Sequence, residues 1–300
     1  MKILLLGKEG QVGWELHRVL STMGDLVASE QHELDLEYLD GVRRWVRQHA
    51  PDIIVNAAAY TAVDRAESEP EKAHRINAEA VGLIAEEAHR LNAWLVHYST
   101  DYIFDGEKTS PYEEDDPANP LSVYGRTKFE GEERIREQHA KHMIFRTSWV
   151  YTARGKNFIK TILRLAKEKE RLEIIVDQHG APTSAELIAD VTALALHRVG
   201  HMESSTGVAG TYHLVAQGET SWHGYAQYVL NVAKEIGVSL KAAPEEVYPI
   251  PTEAYPLPAK RPLNSRLSSS KLTRTFCVHL PDWRDHVRRV IQELTDRGGR

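Results

Sequence analysis

The sequence predicts an α/β chain, with a doubly wound parallel sheet in its first half and a smaller domain assembled from C-terminal segments. Three observations predict it. Apolar runs of strand length alternate with stretches of helical spacing from Met1 to about Val150; the first run leads at once into three glycines at intervals of three; and beyond Tyr151 the alternation becomes irregular.

Lys2-Ile-Leu-Leu-Leu6 is a short strand, Gly7-Lys-Glu-Gly10-Gln-Val-Gly13 a turn, and an amphipathic helix continues to about Met23. In that setting Gly7 permits a tight turn, Gly10 lets backbone approach a pyrophosphate, and Gly13 lets the helix pack closely on the strand, its N-terminus facing phosphate. Such a loop points to a Rossmann-like dinucleotide fold. The spacing is Gly-x-x-Gly-x-x-Gly rather than the commoner Gly-x-Gly-x-x-Gly, and a purely structural turn competes with it. Leu26 to Ser29 is the second strand. Glu30 after it could bond ribose hydroxyls, which speaks for NADH, while Lys8 could meet a ribose 2′-phosphate, which speaks for NADPH, so the preference stays open.

Leu39, Val42, Trp45 and Val46 keep helical spacing between Glu37 and His49, and Pro51-Asp52 leads into the strand Ile53–Val55. Asn56-Ala57-Ala58-Ala59 follows, small residues at the carboxyl end of a strand, where open parallel sheets bind ligands and where helix packing also asks for small side chains. Glu71 to Leu91 is a long helix, and Trp94 to Tyr98 a fourth strand ending in Ser99-Thr100-Asp101-Tyr102. After an acidic, proline-rich loop, Ser122 opens a helix to about Lys141, then Met143 to Thr147 is a strand that precedes Trp149. In the second half, strands fit Leu172–Val176 and Gly210–Leu214, and helices fit Glu186–Arg198, Ser221–Ile236 and about Pro281–Thr295. Gly180–Ser184 reads as a turn with a cap, and Pro249–Pro262 as an extended loop.

Chemistry concentrates in Ser122 to Lys128. Tyr124 and Lys128 are four apart and share one helix face. A nearby ammonium favours the ionised phenol, so the pair is expected to lower the tyrosine pKa and let it exchange a proton with a substrate oxygen. Thr100, at the end of its strand, could donate to the same oxygen or simply cap its own turn.

A net charge of −6 and a pI near 6.2 argue against a nonspecific nucleic-acid or membrane-surface binder. Hydrophobic content of 42% suffices for a large core. One cysteine, Cys277, allows no internal disulfide, and no leader of signal-peptide form opens the chain, so a cytoplasmic setting is expected.

Taken together, Gly7-x-x-Gly10-x-x-Gly13, Asn56-Ala-Ala-Ala59, Ser99-Thr-Asp-Tyr102 and Tyr124-x-x-x-Lys128 resemble the extended short-chain dehydrogenase/reductase family, over essentially the whole chain. More specific phrases carry the resemblance further: Val55-Asn-Ala-Ala-Ala-Tyr-Thr-Ala-Val-Asp64, His97-Tyr-Ser-Thr-Asp-Tyr102, Asn119-Pro-Leu-Ser-Val-Tyr-Gly125, Gly180-Ala-Pro-Thr183 and Arg261-Pro-x-Asn-Ser-Arg-Leu267.

The resemblance implies reduction, by NADPH or NADH, of the C4 ketone of a dTDP-linked 4-keto-6-deoxysugar. Thr100, Tyr124 and Lys128 are then catalytic, with Tyr124 the proton donor. Gly7, Gly10, Gln11, Val12 and Glu30 would contact the cofactor, as would Asp35, Leu36, Ala57, Ala58 and Ala59, with Tyr124 and Lys128 completing that set. Thr100, Asp101, Tyr102, Tyr124 and Trp149 would face the sugar nucleotide. Arg266 is a candidate for its diphosphate or, equally, a surface ion-pair partner.

The resemblance further implies a structural Mg²⁺ at a homodimer interface, held by Glu15, Glu186 and Glu293. It also implies a cofactor domain of residues 1–150 with about 172–200, and a substrate-binding domain of about 151–171 and 201–300. Lys8-Glu9 depart from the small or hydroxylated pair common in the family's loop. A reductase of another nucleotide 4-keto-6-deoxysugar and a non-catalytic NAD(P)-binding regulatory subunit are the competing functions.

Overall fold

The computed structural model describes residues 1–139, 141–200 and 206–298. Its main sheet has six parallel strands: β1 Lys2–Leu6, β2 Asp25–Ser29, β3 Ile53–Asn56, β4 Trp94–Thr100, β5 His142–Thr147 and β6 Gly210–His213, in the order β2-β1-β3-β4-β5-β6. The continuous apolar character of β1 has a simple cause. Leu4 and Leu6 join Ile54, Leu95 and Ile144 in the core on one face, while Ile3 and Leu5 join Val55, Val96, Met143 and Phe145 on the other. Both faces are covered, so period-2 alternation of polarity disappears. Each of these buried aliphatic side chains contributes roughly 1.5–3 kcal/mol relative to leaving it exposed.

The main helices are α1 Gln11–Leu20, α2 Leu39–His49, α3 Ala80–Leu91, α4 Val123–Gln138, α5 Phe158–Glu168, α6 Ala185–Gly200, α7 Trp222–Glu235 and α8 Trp283–Gly298. Helices α2 and α3 pack together on one face of the sheet, and α1 packs on α6 on the other. Because β2 and β3 lie on opposite sides of β1, the chain reverses direction there, and a crevice opens at the carboxyl ends of β1 and β3. No helix of the described residues is long and apolar enough to cross a membrane.

Two differences from the sequence reading have local causes. The long helix expected from Glu71 to Leu91 is interrupted by a π-helical turn, Arg75–Glu79, between Pro70–His74 and α3. The extra residue per turn accommodates buried Asn77, whose amide bonds outside the helix. Helix α5 went unrecognised, although Phe158, Ile159, Ile162 and Ala166 keep helical spacing; Asn157 caps it by accepting from the Lys160 N–H at 3.2 Å.

The outer elements also cross the expected domain division. Leu172–Ile175 pairs in parallel with Val247–Ile250 as a small separate sheet, whereas Gly210–His213 extends the main one as β6.

Candidate active site

The crevice is a cavity of about 670 Å³. Its floor is the glycine loop. Gly7 has φ +81°, and a Cβ there would lie 2.8 Å from the Ala58 nitrogen; a Cβ on Gly13 would lie 1.9 Å from the Gly7 carbonyl oxygen. These two glycines are required by packing alone. Gly10 is different: a Cβ would meet only the Gly7 oxygen, at 3.4 Å, so its bareness leaves room on the cavity side. It is also the N-cap of α1 and offers no side-chain acceptor, so the first amides of α1 are free to meet an anion. A dinucleotide pyrophosphate fits this cradle.

Gly7, Gly10, Gln11, Val12, Glu30, Asp35, Leu36 and Ala57–Ala59 all line the cavity. Lys8 and Glu30 meet each other, with Lys8 Nζ 2.8 Å from a Glu30 oxygen and 3.8 Å from Glu33; His32 Nδ1 stands 3.2 Å from Glu30. The hydrogen bond between them holds the Glu30 carboxyl below, and the Lys8 ammonium above, their ordinary ranges.

At the other end, β4 delivers Ser99 and Thr100, the turn after it delivers Asp101, and the first turn of α4 delivers Tyr124. Ser122 caps α4 by accepting from the Gly125 N–H at 3.1 Å, and a Cβ on Gly125 would fall 2.2 Å from the Tyr102 carbonyl oxygen. That close approach sets the Tyr102 ring edge-on to the Tyr124 ring, with centroids 5.6 Å apart. The Thr100 hydroxyl accepts from the Tyr102 N–H and donates to Asp101 Oδ1, both at 3.1 Å. Capping its turn and facing the cavity are therefore compatible for Thr100.

Burial pushes Tyr124 up to about 12, with Thr100 hydrogen bonding pulling it back and Asp101 adding to the rise. The sequence expectation of a lowered phenol pKa is thus reversed. The reason is that burial of the phenol outweighs any help from Lys128, which is itself buried, donates to the Tyr98 carbonyl at 2.6 Å and lies 3.1 Å from His97 Nε2. Burial lowers it to about 8, the Glu132 carboxylate opposing. A phenol held protonated in this way is a proton donor at neutral pH, which is the form a ketone reduction needs.

Asp101 is buried with one carboxyl oxygen unpartnered, and burial pushes its pKa up to about 6, against the pull of the Ser265 and Thr100 hydroxyls. Trp149 adopts φ +50° and stacks on Trp222 at 3.7 Å, leaving it at the cavity wall. Arg266 does not reach the cavity lining. Its guanidinium donates to the Asn264 side chain at 2.8 Å, the Thr109 carbonyl at 2.6 Å and Glu219 at 3.2 Å, so its place is structural, tying the C-terminal segment to the loop before α4.

Glu15, Glu186 and Glu293 do not assemble a metal centre within the chain: among the described residues no group of three His, Cys, Asp or Glu could hold an ion. Arginines hold two of the carboxylates instead. Glu15 lies 3.5 Å from Arg18 and accepts from Thr152 at 3.3 Å, and Glu186 lies 2.7 Å from Arg289.

Two functional candidates escaped the sequence reading. Asn77 accepts from the Tyr60 N–H at 2.9 Å and donates to the Tyr60 carbonyl at 3.1 Å, fixing the loop after β3 that walls the cavity. His97 contacts Lys128. Its signal was a histidine inside an otherwise apolar strand, Trp94-Leu-Val-His.

The RmlD substrate binding domain model matches residues 1–296. The dTDP-4-dehydrorhamnose reductase of Escherichia coli (strain K12) is 52% identical over 298 residues, 98% of each chain. Among solved structures, a dTDP-4-dehydrorhamnose reductase from Clostridium acetobutylicum superposes with TM-score 0.89 at 32% identity, covering 98% of this chain and 100% of that one. One from Bacillus anthracis in complex with NADP gives TM-score 0.86 at 32% identity, over 97% and 99%. With this cradle at one end of its cavity and Thr100, Tyr124 and Lys128 at the other, the chain belongs to the RmlD substrate binding domain family.

Proposed function

We propose that the chain reduces the C4 ketone of dTDP-4-dehydro-L-rhamnose to dTDP-L-rhamnose with NADPH or NADH. The observation that carries this is the union, in one cavity, of an anion cradle and a protonated phenol beside a threonine hydroxyl and a buried lysine. The likeness to reductases of that name supports it.

When bound, the reduced nicotinamide supplies the hydride that reaches C4. Tyr124 donates its hydroxyl proton to the ketone oxygen as the C–O π bond breaks, so that a secondary alcohol forms and the phenolate is left on the enzyme. Thr100 turns its hydroxyl from Asp101 to donate a second hydrogen bond to that oxygen, stabilising its developing charge. Lys128 holds the nicotinamide ribose and, when protonated, stabilises the phenolate until solvent returns the proton. Asp101, Tyr102 and Trp149 orient the sugar nucleotide.

Residues 1–150 with the helix near 185–200 hold the cofactor, and the segments around 151–171 and 214–298 close on the substrate. The single Cys277 suits a cytoplasmic enzyme. A homodimer is part of the proposal. A Mg²⁺ between two copies would have to take Glu15 and Glu186 from Arg18 and Arg289, which weighs against it.

The test is a coupled assay that generates the 4-keto sugar in place from dTDP-glucose and follows NADH and NADPH oxidation in parallel. Turnover that depends on the complete pathway, with kcat reduced about 10²–10⁴-fold in Tyr124→Phe while cofactor still binds, is the expected result. A folded protein that binds cofactor and stays silent on this sugar would overturn the assignment in favour of another substrate or a regulatory role.

A further inference from the structure

Trp149, which orients the sugar nucleotide in the proposed reaction, is held in a conformation its backbone does not favour. Its φ of +50° lies in the left-handed region, where a bulky side chain is an outlier, and such strain persists only where surrounding contacts over-determine it. Two of those contacts bear on the indole itself. The Trp222 ring lies flat against it, with centroids 3.7 Å and planes 15° apart, and a Cβ on Gly180 would stand 2.8 Å from its Cε2 and 3.2 Å from its Nε1. Gly180 has no left-handed φ, so a larger residue there would fail for want of space beside the indole. Both supports come from one short antiparallel pairing, Thr220 opposite Gly180 and Ser221 opposite His179, and Trp222 opens α7 directly after it.

Trp149 lines the cavity and Trp222 does not. What fixes Trp222 is a chain of hydrogen bonds leading away from the cavity. Its Nε1–H donates to Gln178 Oε1 at 3.1 Å, the Gln178 amide nitrogen donates to Thr252 Oγ1 at 3.1 Å, and the Thr252 hydroxyl donates to the Asp177 carboxylate at 2.7 Å. The same carboxylate accepts the Thr252 N–H at 2.9 and 3.0 Å. The order of donors is forced, because an indole nitrogen only donates and a carboxylate only accepts. Turning the Gln178 amide would set its nitrogen against the Trp222 N–H and leave its oxygen facing a hydroxyl already given to Asp177. Gln178 is only 4% exposed, so bulk water does not replace a bond lost there.

We propose that Trp222 is a positioning residue for the sugar nucleotide: aligned by Gln178, Thr252 and Asp177, it holds Trp149 in its left-handed conformation and fixes that indole at the cavity wall. Phe158 of α5 backs the stack, its ring centroid 4.6 Å from that of Trp222. An indole fixed beforehand meets its ligand without the entropic cost of being ordered on binding, so Trp222 contributes to affinity without touching the sugar. None of the relay residues belongs to the anion cradle, and cofactor binding therefore serves as the control.

The effect on turnover rests on the reductase reading; the geometry of the stack does not. Two indoles stacked this closely couple as an exciton pair in ultraviolet circular dichroism, and Gln178→Leu keeps both while cutting the relay. The expected result is a native couplet that weakens in Gln178→Leu and disappears in Trp222→Phe. A couplet unchanged in Gln178→Leu overturns the proposal. In turnover, Trp222→Leu should raise the KM for the dTDP-linked 4-keto sugar about three- to tenfold, the scale of one aromatic contact, with kcat and the Kd for NADPH within about twofold of native. Trp222→Phe, which keeps a ring against Trp149, should recover most of that loss. A native KM in Trp222→Leu, or a kcat and a Kd for NADPH that worsen along with KM in both variants, would leave Trp222 a packing residue and end the proposal. Silence of the native chain itself would sink the reductase reading, with circular dichroism still deciding whether the relay holds the stack.

Discussion

Lys8 and Glu30, residues suited to different cofactors, face each other across 2.8 Å beside the glycine loop. Each restrains the other. NADPH must draw Lys8 off Glu30 to reach its 2′-phosphate, and NADH must draw Glu30 off Lys8 to reach its ribose hydroxyls. Lys8→Ala should therefore weaken NADPH and spare NADH, while Glu30→Gln should free Lys8 and favour NADPH. Each change in the kcat/KM ratio should be about fivefold or less, the scale of a solvent-exposed ion pair, and should shrink with added salt. Identical ratios in all three proteins would show that neither residue touches the ribose.

The three loop glycines should separate by measurement. Gly13→Ala drives a methyl into the Gly7 carbonyl and should cost about 3 kcal/mol of stability, the upper end for overpacking, seen as a lower Tm without ligand. Gly10→Ala meets only ordinary contact and should leave Tm nearly unchanged, yet raise the Kd for the dinucleotide several-fold by occupying its cradle. Equal losses of stability in the two variants would make the loop a structural turn.

This loop also shows what could be seen in the residues alone. Strands, glycine roles and the Tyr124-x-x-x-Lys128 face were legible because they rest on short-range periodicity and backbone sterics. The charge state of that face was not. It depends on burial that only the assembled sheet provides, by elements such as β4, whose Tyr98 carbonyl meets Lys128 from 30 positions away. Which of its two readings fits Arg266 was hidden for the same reason: the partners that make it an ion-pair and hydrogen-bonding residue, Glu219 and Thr109, lie 47 and 157 positions away. The π turn at Arg75–Glu79 leaves no mark on helical spacing until Asn77 is seen to need it.

Asn77 makes a stability prediction with a catalytic echo. Asn77→Ala leaves the Tyr60 N–H and carbonyl without their partner, a cost of about 2–4 kcal/mol for two unsatisfied backbone groups. Because Ala57–Val63 lines the cavity, the variant should also raise the KM for cofactor more than it lowers kcat. A variant as stable as the native chain would mean that water takes over both bonds.

Asp101 carries the last prediction. Its carboxyl titrates near 6 in the fold against 3.8 ordinarily, because burial disfavours the charge. The sign follows from proton counts: between those values the folded chain holds more protons than the unfolded one, so stability falls as pH rises through the window. Below pH 3.8 the penalty is absent, and above about 6 it is complete, at most about 3 kcal/mol. Asp101→Asn should therefore raise Tm at pH 7 and lose that advantage in acid. Turnover should move the other way. If the ionised Asp101 accepts a hydroxyl of the sugar, native kcat/KM rises with pH through about 6, and the asparagine variant is slower and lacks that limb. A variant that keeps the acid limb would assign it to another group, and one that gains no stability at pH 7 would show that the unpartnered oxygen is solvated in the free enzyme.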